Sequence, residues 1–138
     1  MKQALLPAGW IKPRGYANGV AARGTQVFIA GQIGWDENAR FTSREFGAQA
    51  VQALRNIVAV LEAAGGKPEH LVRLTWYVVD KKEYLASLKE IGAAFRELIG
   101  DYDIAMSAVQ VVALVEDEAK VEIEATAVIP DDAGLSAS

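Results

Sequence analysis

At 138 residues, about half hydrophobic and a quarter charged, the chain has the size and composition of one packed domain and is not that of a disordered one. A net charge of −4, with no basic run interleaved with aromatics, argues against nucleic acid as a main partner. The absence of cysteine removes disulfides, thiol nucleophiles and zinc–thiolate sites, and the single histidine, His70, cannot build a multi-histidine metal site.

In chain order, "MKQALLPAGW" has too short an apolar run, broken at Pro7, for a signal peptide, and no stretch approaches the length of a membrane span. The expectation is a soluble, cytoplasmic protein. Two antiparallel strands, about 17–22 and 26–33, are predicted as a hairpin around Arg23–Thr25, with Gly31 and Gly34 in or just after the second. Glycine there marks a bulge or lets a backbone or ligand come close. "TSRE" reads as a capping box from Thr42 and Glu45, opening a helix with Phe46, Ala50, Leu54, Ile57, Val58 and Leu61 on one face. Gly65-Gly66 and Pro68 end it.

A strand over 71–79 alternates Val72, Leu74, Trp76 and Val78 with Arg73, Thr75, Tyr77 and Val79. A second capping box, Asp80 with Glu83, opens a helix whose stripe is Tyr84, Leu88, Ile91, Phe95 and Leu98, closed by Gly100. Two further strands, about 104–115 and 119–129, flank the acidic "EDEA", and the tail 131–138 is expected to be flexible.

The order β-β-α-β-α-β-β, without repeat or linker, predicts a single α+β domain over 1–138. Its mixed sheet would carry two helices on one face. Strand 104–115 is apolar on both sides, so the uncovered face is expected to meet another subunit.

Three phrases, "GYANGVAARGTQVFIAGQIGWD", "ALRNIVAVLEAAGGKPEHLVRLTWYVVD" and "VEIEATAV", resemble the reactive-intermediate deaminase family, the RidA/YjgF type, from about residue 13 to 129. The resemblance implies a chorismate-mutase-like fold and a homotrimer with small-molecule pockets between subunits. It also implies hydrolysis of enamines or imines without metal or organic cofactor. Carried over by position, Tyr16 matches the family's N-terminal tyrosine. Ala30, Gly31 and Gln32 match its Ser-Gly-Gln turn without the serine, and Glu122 matches the glutamate held to position water. Active members carry arginine before a serine to bind the substrate carboxylate; this chain has Met106 before Ser107, then Ala108 where many carry cysteine. Arg14, Arg73 and Lys89 are the candidate replacements for the lost cation.

On residue type alone, Glu122 is more commonly a solvated or ion-paired strand carboxylate; the family position points instead to a pocket. Glu124, on the same face, reads as scaffold, paired with a cation across the sheet. Tyr16 is a loop cap or a ligand-stacking group, Gly31 a close-approach glycine, and Met106 core or apolar pocket wall. Ser107 has no histidine or lysine nearby in sequence to activate it. His70 reads as a surface or capping residue, and the three tryptophans as core or interface, with Trp35 the one nearest the glycine turn. The leading functional expectation is an imine or enamine deaminase with altered scope. The alternative is a non-catalytic trimer that binds a small metabolite or a partner, and endoribonuclease activity comes last.

Overall fold

The computed structural model describes residues 2–100 and 103–131, so the expected flexible tail, apart from Asp131, lies outside the described residues. Ten elements follow in order. They are strands β1 (Lys2–Leu5), β2 (Gly19–Ala22) and β3 (Thr25–Gln32); helix α1 (Phe46–Ala63); a single 3-10 turn, Pro68–His70; strand β4 (Leu71–Val78); helices α2 (Lys81–Ala86) and α3 (Leu88–Leu98); and strands β5 (Ala105–Gln110) and β6 (Val121–Ile129). The main sheet has the order β3-β6-β4-β5, with β6 antiparallel to both neighbours and β4 parallel to β5. This is the mixed α+β sheet expected from the sequence. Among the described residues no helix is long and apolar enough to cross a membrane.

Alternation on β6 divides inside from outside. Val121, Ile123, Ala125, Ala127 and Ile129 are buried, while Glu122, Glu124, Thr126 and Val128 are only half-buried. Of these, Val121, Ile123, Ala125 and Ala127 join Phe46, Ala50, Leu54, Ile57 and Leu61 of α1 and Ile91 of α3 in one core. The opposite face is left open: Phe28 is 74% exposed, and Ala30 and Arg73 are exposed.

Helix α1 begins three residues later than a cap at Thr42 predicts. Glu45 is the N-cap without a side-chain cap bond, and its N–H donates to Ser43 Oγ at 3.0 Å, so the Thr42–Glu45 box does not form. Its other end stops as expected. Gly65 takes a φ of +82°, and the N–H of Gly66 returns to the Leu61 carbonyl at 3.0 Å. Gln49, which helical periodicity alone would not single out, is buried inside α1. Its Nε2 donates to the carbonyls of Ser43 and Glu118 at 3.1 and 3.0 Å, and its Oε1 accepts from Lys120 N at 2.8 Å.

Several boundaries differ from expectation. β2 pairs with β1, a strand the sequence did not suggest, and forms no ladder with β3; the predicted 17–22/26–33 hairpin is therefore absent. Long-range pairing with the N-terminal segment wins over the short turn. Lys2 anchors that segment, its ammonium donating to the carbonyls of Leu71 and Asp103, both at 2.8 Å. A register shift between Leu71 and Arg73 puts Leu71 in the core where simple alternation assigned Val72. The second predicted helix is two, broken at Ser87, whose ψ of 3° departs from helical geometry. Asp80 caps α2 by accepting from Lys82 N at 2.8 Å, but Glu83 does not complete a box and pairs with Lys120 at 3.0 Å. β5 stops at Gln110 rather than 115, beyond which Val112 and Val115 are almost wholly exposed.

Candidate functional site

The expected site residues fall into two groups on different surfaces of the protomer. The first group surrounds a bulge in β3. Ile29 pairs with Ala125 but Gln32 pairs with Ile123, so β3 carries one residue more than β6 over this stretch. Bulges of this kind re-aim side chains and recur beside active sites. Gln32 braces the bulge, its Nε2 donating to the Ala30 carbonyl at 3.0 Å. The Glu122 carboxylate rests on Gly31: a Cβ placed there would meet Glu122 Oε2 and lie 2.7 Å from Glu122 Cδ. Gly31 does not have a positive φ, so what glycine provides here is room for the Glu122 side chain.

Across the same open face, Tyr77 of β4 stands opposite Glu122 in the ladder. Its hydroxyl donates to Glu124 Oε1 at 2.6 Å, so Glu124 is held by a hydroxyl and not by the cation expected for it. That hydrogen bond, ahead of burial and the charges of Glu124 and Glu122, pushes the Tyr77 phenol above its usual range. Beside it a shallow depression of about 400 Å³ is lined by Ala30, Arg73, Thr75 and Glu124, among others.

The second group lines a groove of about 720 Å³ between the 12–16 loop, the edge strand β5 and α3. Tyr16, Met106, Ser107 and Ala108 all reach it, as does Arg14. Ala17 secures the loop by donating its N–H to the Ile104 carbonyl at 2.9 Å. The apolar wall comes from Tyr84, Leu88, Ile91 and Phe95 with Trp76; burial raises the Tyr84 phenol pKa. Met106 also packs against the core, so it serves as core and pocket wall together.

The cations sort clearly. Arg14 lines the groove, Arg73 lies on the open face, and Lys89 lines neither cavity. Two groove cations were not foreseen, Lys12 and Arg96. The available signal was Gly92, one helical turn before Arg96, because an interior helix glycine is costly unless space is needed. Trp35 stands apart from both groups, with its ring centroid 5.9 Å from Phe41. Trp10 is largely exposed, not core, while Trp76 is buried. His70 is a buried cap, accepting the Lys67 N–H on Nδ1 at 3.0 Å.

The chain's likenesses to known proteins agree with this geometry. The family model described as Endoribonuclease L-PSP matches residues 11–129. A 2-iminobutanoate/2-iminopropanoate deaminase of Salmonella typhimurium is 36% identical over 113 residues, 82% of this chain and 86% of that protein. A RutC family protein of Aquifex aeolicus is 31% identical over 129 residues, covering 93% and 99%. Among solved structures, a Rid family protein of unknown function from Yersinia pestis superimposes with a TM-score of 0.80 at 32% identity, covering 93% and 98%. RidA from an Antarctic Psychrobacter gives 0.66 at 31%, covering 91% and 94%. The mixed sheet matches these solved structures in fold, and with the family model and the curated relatives it shows that the chain belongs to the RidA/YjgF family.

Proposed function

We propose that the protein hydrolyses small reactive imines or enamines, releasing ammonia, in a cleft completed between protomers of a homotrimer. The carrying observation is the Glu122 carboxylate seated on Gly31 at the β3 bulge, on a sheet face without a cover. The relatives named as imine deaminases support the reaction class. In the proposed step, water adds to the imine carbon while Glu122 takes its proton and passes it to the nitrogen; Glu122 then carries the hydroxyl proton of the resulting carbinolamine to the same nitrogen, the C–N bond breaks, and ammonia leaves as the carbonyl forms. Backbone N–H groups around the bulge are offered to the polar end of the substrate, and Tyr16 of the partner subunit packs on its body. The lack of cysteine suits work in a reducing cytoplasm.

The division of the site residues between two surfaces supports the shared cleft. Exposed Phe28, Val112 and Val115 supply apolar surface of the kind that assembly covers. Met106 supports a change of scope. A guanidinium there would give a substrate carboxylate a pair of charge-assisted hydrogen bonds worth about 1.5–3 kcal/mol each, and a thioether has no donor. The favoured substrates are therefore imines without a carboxylate next to the imine carbon. Ammonia release from imines generated in situ tests the reading. A folded Glu122→Gln protein should lose turnover, and undiminished turnover would remove the residue from the mechanism.

Met106 also favours a second reading, a trimer that binds a metabolite without converting it; ligand binding with no ammonia from any imine would select it. Endoribonuclease action, which the family model's description names, suits a chain of net charge −4 poorly, and RNA left intact by the pure protein would exclude it.

A further inference from the structure

We infer that the groove beside β5 binds the carboxylate of a substrate whose anionic end is separated from its reacting carbon by an apolar spacer, with Arg14 and Arg96 holding it. This deepens the deaminase reading and rests on it for the identity of the reacting group.

Charge is the first support. The chain carries net charge −4, yet among the described residues this groove gathers Lys12, Arg14 and Arg96 against one lining acid, Asp103. Neither arginine makes a salt bridge or side-chain hydrogen bond with the described residues, so both guanidinium forks are open to a ligand. Elsewhere in the described structure, Lys2 and Lys120 are committed to protein partners.

Space is the second. Gly92 lies within α3 with no positive φ, and a Cβ there would meet only Arg96 Nη1, at an ordinary 3.5 Å. Backbone geometry and close helix packing therefore do not demand glycine, which is among the poorest helix formers. What its missing side chain provides is open floor beside Arg96. A groove of about 720 Å³ falls within the range of small-molecule sites.

Position is the third. β5 offers Met106, with no donor, where a cation would meet a carboxylate adjacent to the imine. The arginines come from the loop and the helix that wall the same groove. Tyr84, Leu88 and Phe95 line the same groove, a surface for an apolar spacer. An acid of this shape can use both the cations and the apolar wall of the groove.

Calorimetric titration of the full chain with 4-oxo-4-phenylbutanoate and with butyrophenone, which replaces the carboxylate by methyl, tests the assignment. The acid should bind at least about tenfold tighter, as one charge-assisted contact provides. Raising the salt should narrow the gap. In the Arg14→Gln/Arg96→Gln protein the two ligands should bind alike, at the affinity of the ketone, and Gly92→Leu should weaken both. Both arginines are exposed, so folding should survive their loss. Equal affinity in the native chain, no binding of either ligand, or an acid preference that persists without the arginines would overturn the assignment. The deaminase reading stands or falls separately. Binding as described with no ammonia released from a matching imine would sink that reading and leave the groove, and turnover with equal affinities would do the reverse.

Discussion

The carboxylate of Glu122 occupies the space in which any side chain at position 31 would have to begin, within 2.7 Å of its Cδ. Real Cβ atoms do not approach so closely to their neighbours. Gly31→Ala must therefore push Glu122 aside or bend the bulge. The expected cost is about 1 kcal/mol in stability, because the atoms displaced are the mobile end of a half-buried side chain, with imine turnover reduced at least about tenfold by the misplaced acid. In a Glu122→Ala background the added methyl should cost little. Urea unfolding of both single variants and the double variant measures the coupling, and strictly additive costs would show that position 31 does not sense this carboxylate.

The proposed change of scope is tested at position 106. Met106→Arg should create or raise activity on 2-iminopropanoate while lowering stability by about 1 kcal/mol, because the thioether packs partly on the core. Ammonia release with the imino acid generated in situ reads the first effect, and thermal unfolding the second. An arginine variant that folds, retains activity on other imines and still ignores the imino acid would show that scope is set elsewhere.

Gln49 ties three backbone groups together inside the protein. Gln49→Leu would leave the Lys120 N–H and the carbonyls of Ser43 and Glu118, in part-buried contacts, without their side-chain partner. A loss of about 2–4 kcal/mol is expected. The urea midpoint should fall with an unchanged slope, the sign of altered stability rather than an altered unfolded state. A midpoint within error of the native chain would mean that solvent reaches these groups.

His70 gives stability a pH dependence. Burial, ahead of the opposing charge of Glu69 and the supporting charges of Lys67 and Lys2, lowers its pKa below the usual 6.5. The neutral ring accepts the Lys67 N–H on Nδ1, and a proton there would break that bond. Because the unfolded chain takes up this proton more readily, the contribution is complete above pH 6.5 and declines as pH falls from there through the lower folded value. His70→Gln should flatten this part of the profile. Unfolding midpoints at about pH 8 and about pH 5 compare the two proteins, and identical slopes would remove His70 as the cause.

What the sequence made legible was the part written in local pattern. Strict alternation in "VEIEATAV" separated core from open face on β6, and the spacing of Phe46, Leu54, Ile57 and Leu61 defined the buried side of α1. The glycine stop at Gly65 was equally local. What stayed hidden depended on partners distant in sequence. β2 pairs with the N-terminal strand, and no property of 17–22 distinguishes that partner from β3. The bulge before Arg73 shifted Val72 out of the core by a one-residue slip that alternation cannot reveal. The site was legible as a set of residues, Glu122 with Gly31 and Tyr16 with Met106, but not as two groups on separate surfaces. Arg96 was missed because a cation on an amphipathic helix looks like ordinary solvated surface until the helix is set beside β5.

The shared cleft can be tested by mixing two damaged proteins. Glu122→Gln spoils the bulge half of every proposed site, and Gly92→Leu fills the groove half; each protein alone should be inactive. If each site takes its halves from adjoining chains, unfolding and refolding an equal mixture should restore about a quarter of native turnover, since that fraction of interfaces unites two intact halves. Verified mixed trimers that remain without activity would contradict a cleft built by two protomers.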